Sequence, residues 1–426
     1  MPARFLTRLL LAVLGAAVPG AAETPRLVLQ ITVDQLRGDM LPRHRDRFGP
    51  GGFRRLLDQG IVFTGAHHAA ANTLTASGHA VLVTGAATAA HGIVANDWHD
   101  PASGRSVYCV EDERFPLVGG PGRGRSPHRL TSSTLGDEIV AGSGGRARAF
   151  AVAAKDRAAI IPAGRSGRAL WLSDATGGFV SSTFYYQDGL PAWVEEWNAR
   201  RVFTRYRDAV WRPLRPGNTT AAEADPANLH ARFPGELRRV FPHPLTARSH
   251  AVLLASLAYT PFSDELVADF AATLLEREGL GHADFPDYLS VSLSATDYIG
   301  HAWGPESAEY VDNLARLDAT LTRLFEAADR AVGAGRWLVV LSADHGWTTS
   351  RNRALPRAGP PAASTRRRCS PPPTPRCGPN CASRPTLSRR SSRPASIWRT
   401  SASARSVWIP RWWRSAWRLT SADSPE

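Results

Sequence analysis

The stretch Asp287–His301, DYLSVSLSATDYIGH, decides how the chain reads. Its first half is a short apolar run that leads into a carboxylate at Asp297. Two further segments share the design: RLVLQITVD, ending in Asp34, and RWLVVLSAD, ending in Asp344. Short runs rich in leucine and β-branched residues suit strands of a parallel sheet buried on both faces. Ligands of open α/β sheets bind outside the carboxyl ends of the strands. Three carboxylates converging there repel one another unless a cation sits between them. The second half of the stretch spaces Asp297 and His301 four residues apart, so one helical turn brings both to one side, as two ligands of one metal require. His345 adjoins Asp344 at a strand-to-loop junction, with Gly346 next, where both can turn toward one ion. Singly, these residues have plainer readings, with Asp34 as a helix cap and His345 as a hydrogen-bonded core histidine. Together, Asp and His side chains from separate strand ends are what a two-zinc site requires.

Helical patterns alternate with the strands. Pro305 opens PESAEYVDNLARLDATLTRLFEAADRAV, where Tyr310, Leu314, Leu317, Leu321, Leu324 and Phe325 fall on one face. Ser263 is placed to cap DELVADFAATLLERE, with Leu266, Phe270 and Leu274 aligned. This order predicts an α/β fold: a doubly wound, mostly parallel sheet with helices on both faces. From about residue 167 to 260 the pattern loosens and aromatic residues accumulate, which predicts an inserted cap subdomain that includes a hairpin. At the start, Arg4 and Arg8 precede LLLAVLGAAV and the small residues Gly20, Ala21 and Ala22. This is a secretory signal pattern over residues 1–22, so the mature chain is expected to be exported to the periplasm or beyond, with no membrane anchor after cleavage. Residues 23–346 then form the catalytic domain.

The net charge of +13 suggests a nucleic-acid binder until the chain is divided. Residues 347–426 hold 16 Arg, 2 acidic residues and no Lys, a net of +14, which leaves the rest at −1. All of the basicity sits in this tail, and such runs are ordinarily solvated and disordered, so no specific nucleic-acid partner is expected. Cys109 stands alone in the body, and Cys369, Cys377 and Cys381 lie in the tail without a zinc-knuckle pattern.

The segment Asn72–Trp98, NTLTASGHAVLVTGAATAAHGIVANDW, places Thr75 where a helix should begin. A threonine there is ordinarily a cap. The same position binds phosphate well, because free N–H groups and the helix dipole favour anions. A metal-bound hydroxyl at that point would lose its proton readily and attack phosphorus. Lys155 is the one lysine of the chain and stands two residues before Arg157. A compact ammonium in a chain that otherwise uses arginine marks a site needing a point charge rather than a fork.

These motifs jointly resemble the alkaline phosphatase superfamily, in its type I phosphodiesterase/nucleotide pyrophosphatase-like branch. AAKDRAAIIPAG, FVSSTFYYQDGLPAWVEEWN and TDYIGHAWGPES resemble the phosphate-irrepressible alkaline phosphatases within it. The resemblance covers roughly residues 25–346. It implies a phosphate monoester hydrolase with a phospho-threonine intermediate on Thr75 and two zinc ions. One ion is implied on Asp34, Asp344, His345 and Thr75, the other on Asp297, His301 and a later histidine. Asn96, Lys155 and Arg157 match the groups that hold the non-bridging phosphate oxygens. A phosphodiesterase of the same superfamily and a non-catalytic phosphate-binding relic are the alternatives. A sulfatase is not expected, because no Cys or Ser nucleophile stands in a C/S-x-P-x-R context.

In the resembling family a further stretch follows ADHG and carries the last zinc histidine and closing strands. Here no histidine follows His345, and the residues after Trp347 are rich in Arg, Pro, Ser and Trp. One zinc site is therefore expected to be incomplete and the activity impaired. Out-of-frame translation of a GC-rich gene gives this composition, so a frameshift near codon 347 is expected. Reading the gene across codons 330–426 in all three frames checks it: a shifted frame should continue ADHG into strand patterns with a histidine. A confirmed sequence without such a frame removes the idea.

Overall fold

The computed structural model describes residues 24–68, 70–215, 237–246 and 249–347. The expected signal peptide, the residues beyond Trp347 and part of the expected cap lie outside the described residues.

The main sheet has seven strands. In chain order they are β1 (Leu27–Val33), β2 (Leu117–Val118), β3 (Ala149–Ala153), β4 (Arg168–Leu172), β5 (Phe179–Ser182), β6 (Asp287–Leu293) and β7 (Trp337–Ser342). Their order across the sheet is β7-β1-β6-β3-β4-β5-β2. The pairs from β7 to β4 are parallel, and the last two are antiparallel. The doubly wound, mostly parallel α/β fold is thus as expected. The segment read as a cap differs at its start. Its hairpin, β4 and β5, pairs within the main sheet.

Five helices position the site: α1 (Thr75–Thr84), α2 (Asp156–Ala163), α3 (Phe262–Arg277), α4 (Ala295–Trp303) and α5 (Ala308–Val332). On α5, Tyr310, Leu314, Leu317, Leu321, Leu324 and Phe325 are all buried, as the periodicity requires. The cap of this helix is Ser307, whose hydroxyl accepts the Tyr310 N–H at 3.1 Å, so Pro305 precedes the helix rather than opening it. Ser263 is not the cap of α3. The helix starts at Phe262, and the Ser263 hydroxyl instead donates to the Thr260 carbonyl at 3.4 Å.

Strand burial follows position in the sheet. β6 is buried along its whole length and β1 at all but one residue, because sheet neighbours flank them on both sides and helices cover them. β7 is the edge strand, and it alternates: Leu338 and Val340 are 49% and 46% exposed. The expectation that RWLVVLSAD is buried on both faces is therefore corrected. Its composition matches β1, but among the described residues it has a neighbour on one side only.

Register brings the three strand ends level. Val33 pairs with Leu293, Thr32 pairs with Ser342, and the Asp34 N–H continues the ladder to Leu293 O at 3.0 Å. α1 packs its first turn directly on this edge. A Cβ on Gly78 would meet the Asp344 carbonyl oxygen at 2.1 Å, a backbone contact with no flexible end to yield. Gly78→Ala should therefore destabilise the fold by roughly 2–3 kcal/mol, the cost of overpacking. A urea midpoint within error of wild type would contradict this close approach.

Candidate active site

Asp34 follows β1 directly and is fully buried, and Asp344 follows β7 and is equally buried. Asp297 lies in the first turn of α4, just past β6. Lys155 lies at the junction of β3 and α2. Four adjacent strands thus deliver four charged side chains to one point, as the carboxyl edge of a doubly wound sheet allows.

The ammonium of Lys155 donates to Asp34 Oδ2 at 2.5 Å and to Asp297 Oδ2 at 2.7 Å, and it sits 4.7 Å from the centre of the Tyr298 ring. Burial works against the charge on Lys155, but the two carboxylates outweigh it and raise its pKa. The imidazole of His345 reaches Asp34 Oδ1 with Nε2 at 3.3 Å, while its Nδ1 lies 3.0 Å from the Gly346 carbonyl. A carbonyl only accepts, so Nδ1 carries the proton, and Nε2 faces the carboxylates. Asp34, Asp297 and His345 offer ligand atoms that all lie within 4.8 Å of one another. This cluster takes Asp34 and His345 from one implied zinc set and Asp297 from the other.

Asp344 is oriented by its neighbours. Its Oδ1 accepts the N–H groups of Gln35 and His345 at 3.1 and 2.8 Å. Burial pushes its pKa up, but His79 and His345 outweigh that and hold it at about 2. His301 lies 3.2 Å from Asp297 Oδ1 through Nε2; its side chain is 57% exposed, beside the Trp347 ring at 5.0 Å.

The donor set fits a divalent cation. Asp34 Oδ1 and Asp344 Oδ2 are buried and accept no hydrogen bond among the described residues. Buried carboxylate oxygens of this kind require a cation or a donor. The relevant groups are carboxylates and an imidazole, which zinc accepts once the imidazole gives up its second proton.

Thr75 is the first residue of α1 and is buried, and its side chain does not cap the helix. The cap comes from a distance: Asn96 Oδ1 accepts the Ala76 N–H at 3.0 Å. Asn96 therefore stands beside the Thr75 end of the helix with its amide N–H groups to spare. Arg157 donates to Tyr108 Oη at 3.2 Å, and Tyr108 donates in turn to Asp156 Oδ1 at 2.5 Å. Arg125 closes this set on Asp156 Oδ2 at 2.7 Å.

Two supporting residues could be read only in part from the sequence. His79 stands one helical turn after Thr75, as a helix support would. It is fully buried, with Nδ1 2.9 Å from Thr75 O and Nε2 2.9 Å from Ser292 Oγ, and its Nδ1 also lies 3.2 Å from Asp344 Oδ2. Gln35 gave no signal beyond its place after Asp34, yet it touches both Asp297 and Asp344.

The chain belongs to the type I phosphodiesterase / nucleotide pyrophosphatase family, whose model matches residues 28–358. It is 38% identical over 336 residues to alkaline phosphatase PhoV of Synechococcus elongatus, covering 78% of this chain and 60% of that one. It is 36% identical over 338 residues to alkaline phosphatase PafA of Elizabethkingia meningoseptica, covering 78% and 62%. The crystal structure of wild-type PafA superposes with a TM-score of 0.68 at 35% identity, over 77% of this chain and 64% of that chain. The superfamily read from the motifs is thereby established. The chain spans about three fifths of the length of the curated relatives it matches.

Asp264 of α3 supports the site from behind. It is buried, and its Oδ1 accepts the Ala295 N–H at 3.0 Å, which caps the helix that carries Asp297 and His301. Burial pushes its pKa up to about 7, against the N–H groups of Ala295 and Ser294. The folded chain then holds this proton to higher pH than the unfolded chain does. Stability should fall as pH rises from the ordinary carboxylate value toward about 7. Asp264→Asn keeps the acceptor and removes the charge, so it should flatten that slope. Urea midpoints at pH 5 and pH 8 test it, and an unchanged slope in the variant would count against the assignment.

Proposed function

We propose that the chain is built as a zinc-dependent phosphate monoester hydrolase working through a phospho-threonine on Thr75. The observation that carries this reading is the cluster of Asp34, Asp297 and His345 within 4.8 Å, beside Lys155 and the N-terminal end of α1. Asp34, Asp344, His345 and Thr75 would hold one zinc; Asp297 and His301 would hold the other. When bound, the ions lower the pKa of the threonine hydroxyl and stabilise the leaving oxygen.

The residues divide the remaining work. The Thr75 hydroxyl gives up its proton, attacks phosphorus in line and releases the alcohol; water then cleaves the phospho-threonine to inorganic phosphate. His79 fixes the backbone of Thr75 by donating from Nδ1 to its carbonyl. Asn96 is tied to Ala76 through Oδ1, so its amide N–H groups are presented to a phosphate at the helix end. Arg157 is held by Tyr108 and Lys155 by two carboxylates, which fixes both cations before substrate arrives. A monoester dianion has one more terminal oxygen than a diester, and two cations on that oxygen favour the monoester transition state.

A solved variant of PafA supports the assignment of these four side chains. It carries substitutions of a threonine and an asparagine twenty-one residues apart, and of a lysine and an arginine two residues apart. The same types stand here at the same intervals, as Thr75 with Asn96 and Lys155 with Arg157.

We also infer that the chain as it stands is impaired. His301 is largely exposed, no histidine follows His345, and the second zinc keeps two protein ligands where the relatives' pattern implies three. The signal pattern supports export to the periplasm, and no helix among the described residues is long and apolar enough to cross a membrane. Small phosphate monoesters are the substrates in this reading.

The purified chain should hydrolyse an aryl phosphate slowly, and faster than the matching methyl aryl diester. Lys155→Ala should lower the monoester rate by about 10²–10³-fold and the diester rate less. A diester preference in the unsubstituted chain would move the assignment to phosphodiesterase. Turnover typical of an intact phosphatase would remove the inferred impairment.

A further inference from the structure

Gln35, like Lys155, joins the two halves of the site. Among the described residues, three non-glycine residues have positive φ: Gln35, Arg201 and Asp208. Only Gln35 is buried; the other two are exposed. Its φ of 64° comes immediately after Asp34 and turns the chain out of β1 at the ligand edge. Glutamine gains nothing from this conformation, so the surroundings must impose it.

Its contacts show what the turn achieves. The backbone N–H of Gln35 donates to Asp344 Oδ1 at 3.1 Å, and its side-chain Nε2 donates to Asp297 Oδ1 at 2.8 Å. One residue therefore fixes a carboxylate of each proposed zinc set. Its carbonyl accepts from the Tyr310 hydroxyl of α5 at 3.3 Å, which braces the turn from the opposite side. The fit to α4 is close: a Cβ on Gly300 would lie 2.0 Å from Gln35 Oε1. That Oε1 is buried and accepts no hydrogen bond among the described residues. An amide held with its acceptor unsatisfied is retained here for its donor. A glutamate in the same place would turn a buried carboxylate toward Asp297.

We propose that Gln35 is a positioning residue for the metal centre: it orients Asp297 from the β1 side and locks its position to that of Asp344. This rests on the zinc reading above. Groups that orient metal ligands from behind typically affect metal affinity by about 10–100-fold. A residue that served packing alone would affect unfolding instead.

The test uses the full chain with Zn²⁺ alone, with affinity measured by competition against a chromophoric chelator and unfolding followed in urea without zinc. Gln35→Met keeps the length and shape and removes the donor. Zinc affinity should fall about 10–100-fold, while the zinc-free midpoint stays level or rises, because the unsatisfied Oε1 is gone. In an Asp297→Asn background the same substitution should change affinity little, since its target is already altered. If the methionine variant does not fold, Gln35→Asn replaces it: asparagine tolerates positive φ, and its shorter side chain does not reach Asp297. Unchanged zinc affinity in a folded variant, or an equal loss in both backgrounds, overturns the proposal. Wild-type chain that binds no zinc overturns the function proposed above, and this inference with it.

Discussion

Everything at the carboxyl edge of the sheet depends on the repulsion among three buried carboxylates. Asp34, Asp297 and Asp344 are each at most 5% exposed, and they arrive from three adjacent strands. Like charges so placed raise the free energy of the fold unless positive charge answers them. Lys155 provides part of that answer by bridging Asp34 and Asp297. His345 provides another part: burial lowers its pKa, but contact with Asp34 and Asp344 raises it to about 9. What is left over is seen in the carboxylate oxygens of Asp34 and Asp344 that accept no hydrogen bond among the described residues. The excess of negative charge is the feature a divalent cation would neutralise. The same excess explains why the one lysine of the chain lies here. An ammonium is a compact charge that fits between two carboxylates without the planar fork of a guanidinium.

Much of this was legible in the sequence because period and spacing encode it. β1 and β6 are continuous apolar runs, and the sheet buries them on both sides. The Asp297 and His301 pair falls on one side of α4 because four residues make about one helical turn. The errors arose where neighbours, not local pattern, decide the outcome. β7 has the composition of β1 but, among the described residues, the position of an edge, and the strand order separates the two. Ser263 is a favourable cap type, but the chain enters α3 one residue earlier, and its hydroxyl finds Thr260. Asn96 reads by resemblance as a phosphate-holding residue, while its contact with the start of α1 from twenty residues away has no local signature. Gln35 was invisible for the same reason: residue type does not announce a left-handed turn in a non-glycine.

The two proposed ligand sets rest on supports of different stiffness. Asp34 and Asp344 are each anchored at the end of a strand of the same sheet, and Asp344 is further held by two backbone N–H groups. Asp297 and His301 lie on α4, a helix whose start is capped by Asp264 and whose later turn reaches solvent at His301. Asp297 is therefore tied to the rest of the site mainly by side chains, through Gln35 and Lys155. A ligand held in this way keeps its orientation only while its partners keep theirs. The weaker set depends most on residues that are not ligands at all. Whatever affinity it has for a metal is consequently governed by the two donors that hold Asp297 in place. The first set draws its geometry from the sheet itself, and so should survive changes that abolish the second.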